Sequence, residues 1–268
     1  ATKTSMSLFL NPHNENEIWY TTLNGVFVSK NIGKTWNWLS NDFKNIHVHF
    51  MAFDPLDPNI IYVGSHQGAI KDGKIVESSK GLFISKDGGK TWKQVQDGPG
   101  EGRDIRAIAV NPKDPNFVAV GTEGPFYISK DRGKTWQTIE ADILAEVDEI
   151  RIDKDAKTIY LGTKSTGVWR GIIDYDASKP AIVGLTGVSH PKSVKGGQTF
   201  EIIVSADNLG SGMSSLPVNL EIGNKTSSGT LQISGADQAA GRFSVSISNP
   251  GKYDVIVNGI DYGDLEVV

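Results

Sequence analysis

Ser29-Lys-Asn-Ile-Gly-Lys-Thr-Trp36, Ser85-Lys-Asp-Gly-Gly-Lys-Thr-Trp92 and Ser129-Lys-Asp-Arg-Gly-Lys-Thr-Trp136 are three copies of one octapeptide. A unit that repeats governs how the rest of the chain is read. The copies begin about 56 and 44 residues apart. A second marker precedes each one: Asn11-Pro12, then Asp54-Pro-Leu-Asp-Pro-Asn59, then Asn111-Pro-Lys-Asp-Pro-Asn116. A degenerate fourth version is Asp153-Lys-Asp-Ala-Lys-Thr-Ile-Tyr-Leu-Gly162. The unit is about 43 residues, lengthened in its second copy by an insertion near 69–80.

Working outward from the octapeptide, each unit reads as four strands. Residues 6–10, 48–53 and 105–110 form a first strand, which the Asx-Pro pair turns. Residues 60–63, 117–120 and 159–161 form a second, and 25–29, 81–85 and 125–129 an aromatic-rich third that leads into the octapeptide. A short fourth strand follows each Thr-Trp. Four strands per unit with a Gly and aromatic signature is the pattern of a β-propeller blade. Only 141–147 has helical spacing, and it is short. The fold class is all-β.

Composition narrows the function classes. The chain has 268 residues, with 27 Lys and Arg against 31 Asp and Glu and a formal net charge of −4. No basic excess is present to neutralise phosphates, so nucleic acid is not the expected partner. With no Cys, disulfide frameworks, Cys-zinc sites, iron–sulfur clusters and thiol nucleophiles are excluded. No apolar run approaches the roughly 18 residues that span a bilayer. The chain does not begin with Met and is expected to be a mature or trimmed segment.

After Asp176 the repeat stops. Ala177-Ser-Lys-Pro180 reads as a linker, and Trp does not recur beyond Trp169. Seven short alternating runs follow, at 182–185, 199–205, 218–222, 229–233, 242–248, 252–257 and 264–268. The expected organisation is propeller blades over 1–176, a linker at 177–180 and an immunoglobulin-like β-sandwich over 181–268.

The octapeptide resembles the Asp-box, or BNR repeat, of sialidases, xyloglucanase-type glycoside hydrolases, sortilin-like receptors and photosystem assembly factors. The resemblance covers roughly 5–176 and implies a propeller; the sandwich is similar to bacterial and archaeal immunoglobulin-like domains. It implies structural roles for Ser29, Asn31, Gly33, Thr35 and Trp36, for Ser85, Asp87, Gly89, Thr91 and Trp92, and for Ser129, Asp131, Gly133, Thr135 and Trp136. The Asp locks a hairpin by accepting backbone N–H bonds, the Gly takes a positive φ, and the Trp packs between blades. Asn31 replaces the Asp in the first copy and can still form the turn.

The fourth unit lacks an octapeptide, and no outer strand is evident after 167–175. About four blades are expected, forming a small ring, a fragment or a partial propeller. Val168, Trp169, Arg170, Gly171, Ile172, Ile173 and Tyr175 would then present an open edge, an assembly surface for a donated strand.

Candidate chemistry is sparse. Arg103, Arg106 and Arg151 begin first strands, as a sialidase arginine cluster would, but the Phe-Arg-Ile-Pro motif is absent. Asp104 and Asp148 hold equivalent positions one blade apart and are the catalytic pair if the chain is a xyloglucanase-type enzyme. His47 and His49 alternate on one strand face, with His66 in the same unit, and are weak metal candidates. Asp54 with Asp57, and Asp153 with Asp155, could line Ca²⁺ loops, though the Pro residues favour plain turns. Asn224-Lys-Thr226 is a glycosylation sequon. Trp19, Tyr20, Trp36 and Trp38 could stack a sugar. The expected function is a non-enzymatic extracellular or cell-surface scaffold, without cofactor, binding copies of itself, another surface protein or glycans. A carbohydrate-active enzyme, or a fragment of one, is the alternative. A binding protein of the assembly-factor kind is a third possibility, though the sandwich does not belong to that pattern.

Overall fold

The computed structural model describes residues 5–66, 70–71, 74–75, 79–139, 146–174, 181–209, 213–235 and 237–268. The chain divides into two compact units, Ala1–Trp169 and Arg170–Val268.

The first unit repeats one antiparallel sheet. β1 (Ser5–Leu10), β2 (Ile18–Thr22), β3 (Gly25–Ser29) and β4 (Asn37–Trp38) pair in that order. A 3-10 turn, Asn41–Phe43, leads to β5 (Val48–Phe53) and β6 (Ile61–Ser65). The insertion contributes a small hairpin, β7 (Ile70–Lys71) with β8 (Lys74–Ile75). β9 (Leu82–Ser85) and β10 (Lys93–Gln94) complete the second sheet, in the order β10-β9-β6-β5. β11 (Ile105–Val110), β12 (Val118–Thr122), β13 (Phe126–Ser129) and β14 (Gln137–Ile139) form the third. β15 (Val147–Ile152), β16 (Thr158–Thr163) and β17 (Gly167–Asp174) follow. The helical spacing at 141–147 is corrected at its end, where Val147 opens β15 as a fully buried strand residue. Residues 141–145 lie outside the described set. Burial beneath the neighbouring sheet overrides a short helical pattern.

The apolar faces meet between successive sheets. Trp19, Val26, Phe43, Val48, Met51, Ile61 and Val63 make one core between the first and second sheets. Ile60, Tyr62, Leu82, Ile105, Val118 and Val120 make another between the second and third. In the second and third sheets the second strand is so close to the next inner strand that a glycine is needed, whereas β2 carries Thr21 at the equivalent register position. A Cβ at Gly64 would lie 2.4 Å from Ile105 Cγ2, and one at Gly121 2.4 Å from the Val147 carbonyl oxygen.

Each octapeptide closes a turn through its own side chains. Asp131 Oδ1 accepts Thr135 N at 2.8 Å and Lys134 N at 3.0 Å, while its Oδ2 accepts Thr135 Oγ1 at 2.6 Å. Ser129 Oγ donates to Asp131 Oδ1 and accepts Gly133 N, both at 2.8 Å. The Ser85 box repeats this network, and in the first box Asn31 Oδ1 accepts Thr35 N at 2.8 Å while its amide donates to Thr35 Oγ1. Gly33, Gly89 and Gly133 all have positive φ.

The Thr91 hydroxyl and backbone bonds hold the Asp87 carboxyl down to about 2. Asp131 is also lowered; partial burial opposes this, but the bonds from Thr135 and Ser129 outweigh it. A depressed carboxyl contributes stability above its unfolded pKa of about 4, and that contribution is lost as pH falls toward the folded value. An Asp87→Asn, Asp131→Asn variant is therefore expected to lose less stability between about pH 4 and pH 2 than the parent. Urea midpoints across that range measure it, and parallel curves would contradict it.

The second unit is a two-sheet sandwich. β18 (Ala181–Ser189), β19 (Ser193–Val194), β20 (Thr199–Asn208), β21 (Ser214–Ile222), β22 (Lys225–Ile233), β23 (Gln238–Ser246), β24 (Gly251–Val257) and β25 (Ile260–Val267) follow in sequence. One sheet runs β17-β18-β20-β23 and the other β19-β25-β24-β21-β22. β21 alternates strictly, sending Leu216, Val218, Leu220 and Ile222 inward. They meet Phe200, Ile202 and Val204 from β20 in a single core.

This unit corrects the open edge. Ile172, Ile173 and Asp174 pair antiparallel with Val183, Ile182 and Ala181, so the chain's own β18 covers that stretch. Trp169 and Gly171 are buried, and Val168 remains 79% exposed. Tyr175 and the linker at 177–180 lie outside the described residues. The outer strand was concealed because it belongs to the sandwich by sequence and reaches back past the linker to pair.

Candidate functional site

Every inner strand of the first unit carries a β-bulge at the same place. The register slips between Ser5 and Ser7, Val48 and Phe50, Ile105 and Ala107, and Val147 and Glu149. The residues inside the last three bulges are His49, Arg106 and Asp148. A bulge leaves one residue unpaired and re-aims its side chain. Immediately before these strands stand His47, Asp104 and Glu146; immediately after the paired second strands stand His66, Glu123 and Lys164. Three positions per sheet thus bring chemistry to one end of the inner strands.

The members pair within and between sheets. Glu123 and Asp104 hydrogen-bond through their carboxyls. Glu146 binds Lys164 at 2.6 Å, and Arg106 reaches across to Asp148 at 3.2 Å. In the second sheet all three positions are histidine. His66 N donates to His47 O at 2.8 Å. The ring centroids lie 5.1 Å apart for His47 and His66, 5.3 Å for His49 and His66, and 6.1 Å for His47 and His49.

Electrostatics differ sharply between the two sets. Burial, followed by the charges of His66 and His49, pulls His47 down to about 4 against the opposing Asp104. Burial and then His66 lower His49; burial likewise lowers His66, with Asp104 opposing. The three imidazoles are thus held neutral. Glu123 moves the other way: partial desolvation of its carboxyl raises it, and the hydrogen bond to Asp104 and that residue's charge add to the rise. Its proton is retained to higher pH than on an ordinary glutamate.

The sequence-expected residues fall into three groups. Asp104 and Asp148 reach the same end of the strands but do not hold equivalent positions: Asp104 precedes β11 and lies against Glu123, whereas Asp148 fills the bulge of β15, where the third sheet has Arg106, and lies against that arginine. His47 and His49 are joined there by His66. Arg151 leaves the group, pairing with Glu149 on its own strand, so the arginine cluster does not form. Glu123 was missed. Its signal is register, since it follows β12 as His66 follows β6.

The Asp loops spend their oxygens on turns. Asp54 Oδ1 accepts Leu56 N and Asp57 N, both at 2.9 Å. Its Oδ2 lies 3.3 Å from Arg132 Nε of the third octapeptide, too poorly aligned to count as a hydrogen bond. Asp155 accepts Lys157 N, Thr158 N and Thr158 Oγ1, and Asp153 accepts Lys154 N. Among the described residues, no three His, Asp or Glu side chains already converge as ligands on one point.

The aromatic candidates divide. Trp19 is core, at 2% exposed. Tyr20 stacks on Phe27, with Trp36 edge-on to Tyr20 and Trp38 edge-on to Phe27, centroids 4.6–5.0 Å apart, and both tryptophans are partly exposed. Trp92 packs on Phe43 and Trp136 on the second core, so these two fill the gap between sheets, while Trp36 does not. A cleft of about 660 Å³ lies between the second and third octapeptides, lined by Trp92, Gln94, Gln96 and Trp136. It contains none of the titratable groups at the inner strand ends. Asn224 sits exposed in the two-residue turn between β21 and β22.

Comparison with known proteins places this arrangement. Residues 80–171, about a third of the chain, match the family model described as Sortilin-Vps10 (sortilin, neurotensin receptor 3). An ancestral GH74 enzyme superposes with a TM-score of 0.50 at 17% identity, covering 97% of this chain and 35% of that one. The blades are those of a β-propeller. A nutrient-binding protein of Bacteroides thetaiotaomicron also reaches 0.50, at 10% identity, covering 79% of this chain and 57% of its own. In sequence, 97 residues are 32% identical to a probable oligoxyloglucan-reducing end-specific xyloglucanase of Neosartorya fischeri. That stretch is 34% of this chain and 11% of the fungal protein, so the chain spans only a small part of that relative's length. Among the described residues, no helix is long and apolar enough to cross a membrane.

Proposed function

We propose that these blades carry a carbohydrate-acting site of the glycoside-hydrolase type, directed at xyloglucan-like β-glucans. The raised carboxyl of Glu123, set against Asp104 and near the Arg106–Asp148 pair, carries the reading. Glycoside hydrolysis needs one carboxyl that keeps its proton to give to the leaving oxygen, and a second acting as base or nucleophile. Glu123 takes the first role and Asp148 the second; Asp104 holds the proton on Glu123. Local similarity to a xyloglucanase supports the substrate class. The scaffold reading expected from the sequence loses part of its open edge where β18 covers Ile172–Asp174. The C-terminal sandwich is read as an immunoglobulin-like accessory module, the blades as about four in number, and the protein as extracellular.

Incubation with xyloglucan oligosaccharides is expected to release new reducing ends. Glu123→Gln should lower that rate by at least about 100-fold, the scale of losing a general acid. The rate should fall as pH rises through the elevated Glu123 pKa, because the donor proton is then gone. An unaffected Glu123→Gln variant, or no turnover and no retardation in a xyloglucan gel, contradicts the reading.

A further inference from the structure

The second blade differs from its neighbours at the three positions the fold repeats. Where the third blade offers Asp104, Arg106 and Glu123, and the fourth Glu146, Asp148 and Lys164, the second offers His47, His49 and His66. Charged sets neutralise one another; among the described residues the three imidazoles make no ion pair, though the charges of Asp104, Arg106 and Asp148 act on them. Among the described residues, both ring nitrogens of His47, and Nδ1 of His49 and of His66, are buried without a hydrogen-bond partner. His47 is 6% exposed. A buried polar atom left without a partner is destabilising, and a cluster of them calls for an occupant.

We propose that His47, His49 and His66 form a binding site for a divalent late first-row transition ion, Zn²⁺ in the first instance. The spacing fits. Zn–N bonds are about 2.0–2.1 Å, so tetrahedral imidazole ligands place their ring centroids about 5.2 Å apart. Two of the observed separations, 5.1 and 5.3 Å, match, and the third is 6.1 Å. The donor nitrogens do not yet converge on one point, so binding turns the rings about their side-chain torsions and draws His47 and His49 together. The backbone is already set, by the bulge at His49 and by the His66 N to His47 O bond. Imidazole donors favour Zn²⁺, Cu²⁺ and Ni²⁺ over Mg²⁺ and Ca²⁺. Three protein ligands leave a coordination position open to water or a substrate oxygen.

The test uses tag-free protein, stripped with chelator and titrated with Zn²⁺ in a calorimeter, with Co²⁺ as an optical probe. The expected result is one Zn²⁺ per chain, a rise in Tm on binding, and the intense visible absorption of four-coordinate Co²⁺. Ca²⁺ and Mg²⁺ should do neither. His66→Ala and, separately, His47→Gln should weaken Zn²⁺ at least tenfold, with circular dichroism unchanged to show that the blades still fold. His13→Ala, remote in this set, should bind as the parent does. Absence of stoichiometric binding in the parent overturns the proposal, and so does undiminished binding in folded His66→Ala or His47→Gln.

Discussion

Gly121→Ala is expected to destabilise the propeller unit by about 3 kcal/mol, in the range of overpacked cores and forced backbone shifts. The added Cβ would lie 2.4 Å from the Val147 carbonyl oxygen and 3.0 Å from the Val147 Cβ. Neither side can yield cheaply. Gly121 is on β12, pinned by β11 on one side and β13 on the other. Val147 is fully buried and opens β15 next to the Asp148 bulge. Relief therefore means parting the third and fourth blades, which also withdraws Asp148 from Arg106. Gly124→Ala, with nothing within 4 Å, should stay within about 0.5 kcal/mol and serves as the control. Urea unfolding of both variants measures the difference, and equal midpoints would contradict the close blade contact.

Asp54→Ala is expected to cost a similar amount, about 3 kcal/mol. The carboxylate is completely buried; one oxygen caps Leu56 N and Asp57 N and the other faces the Arg132 guanidinium. Truncation strands two backbone donors and a cation, and breaking a buried pair from one side costs more than the pair itself contributes. Arg132 is partly open to solvent, which screens its share. Asp54→Asn keeps an acceptor for the turn and removes only the charge, so its loss should be about 1 kcal/mol. If both variants lose the same amount, the ion contact, and not the turn, is what Asp54 supplies.

The octapeptides were legible because their structure is local. A Ser, an Asx, a positive-φ Gly and a Thr within seven residues satisfy one another's hydrogen bonds wherever the chain places them. The inner strands were legible for a related reason, since Asx-Pro turns bound them. What lay beyond reach depends on register between segments distant in sequence. His49, Arg106 and Asp148 point to a shared end because each sits in a bulge, and a bulge is defined only against its partner strand. Glu123, just past β12, matters through Asp104, just ahead of β11, and no spacing rule reveals a hydrogen bond between them. The covered edge was hidden similarly. Pairing between Ile172 and Val183 crosses a Pro-containing linker that composition alone marks as a boundary.

Backbone amide mapping by heteronuclear NMR, with xyloglucan oligosaccharide added to the labelled chain, tests the location of the site most directly. The expected perturbations cluster at His47, His49, His66, Asp104, Arg106, Glu123 and Asp148. Shifts confined to the opposite strand ends, around Asp57 and Asp114, or to the cleft at Trp92 and Trp136, would contradict it.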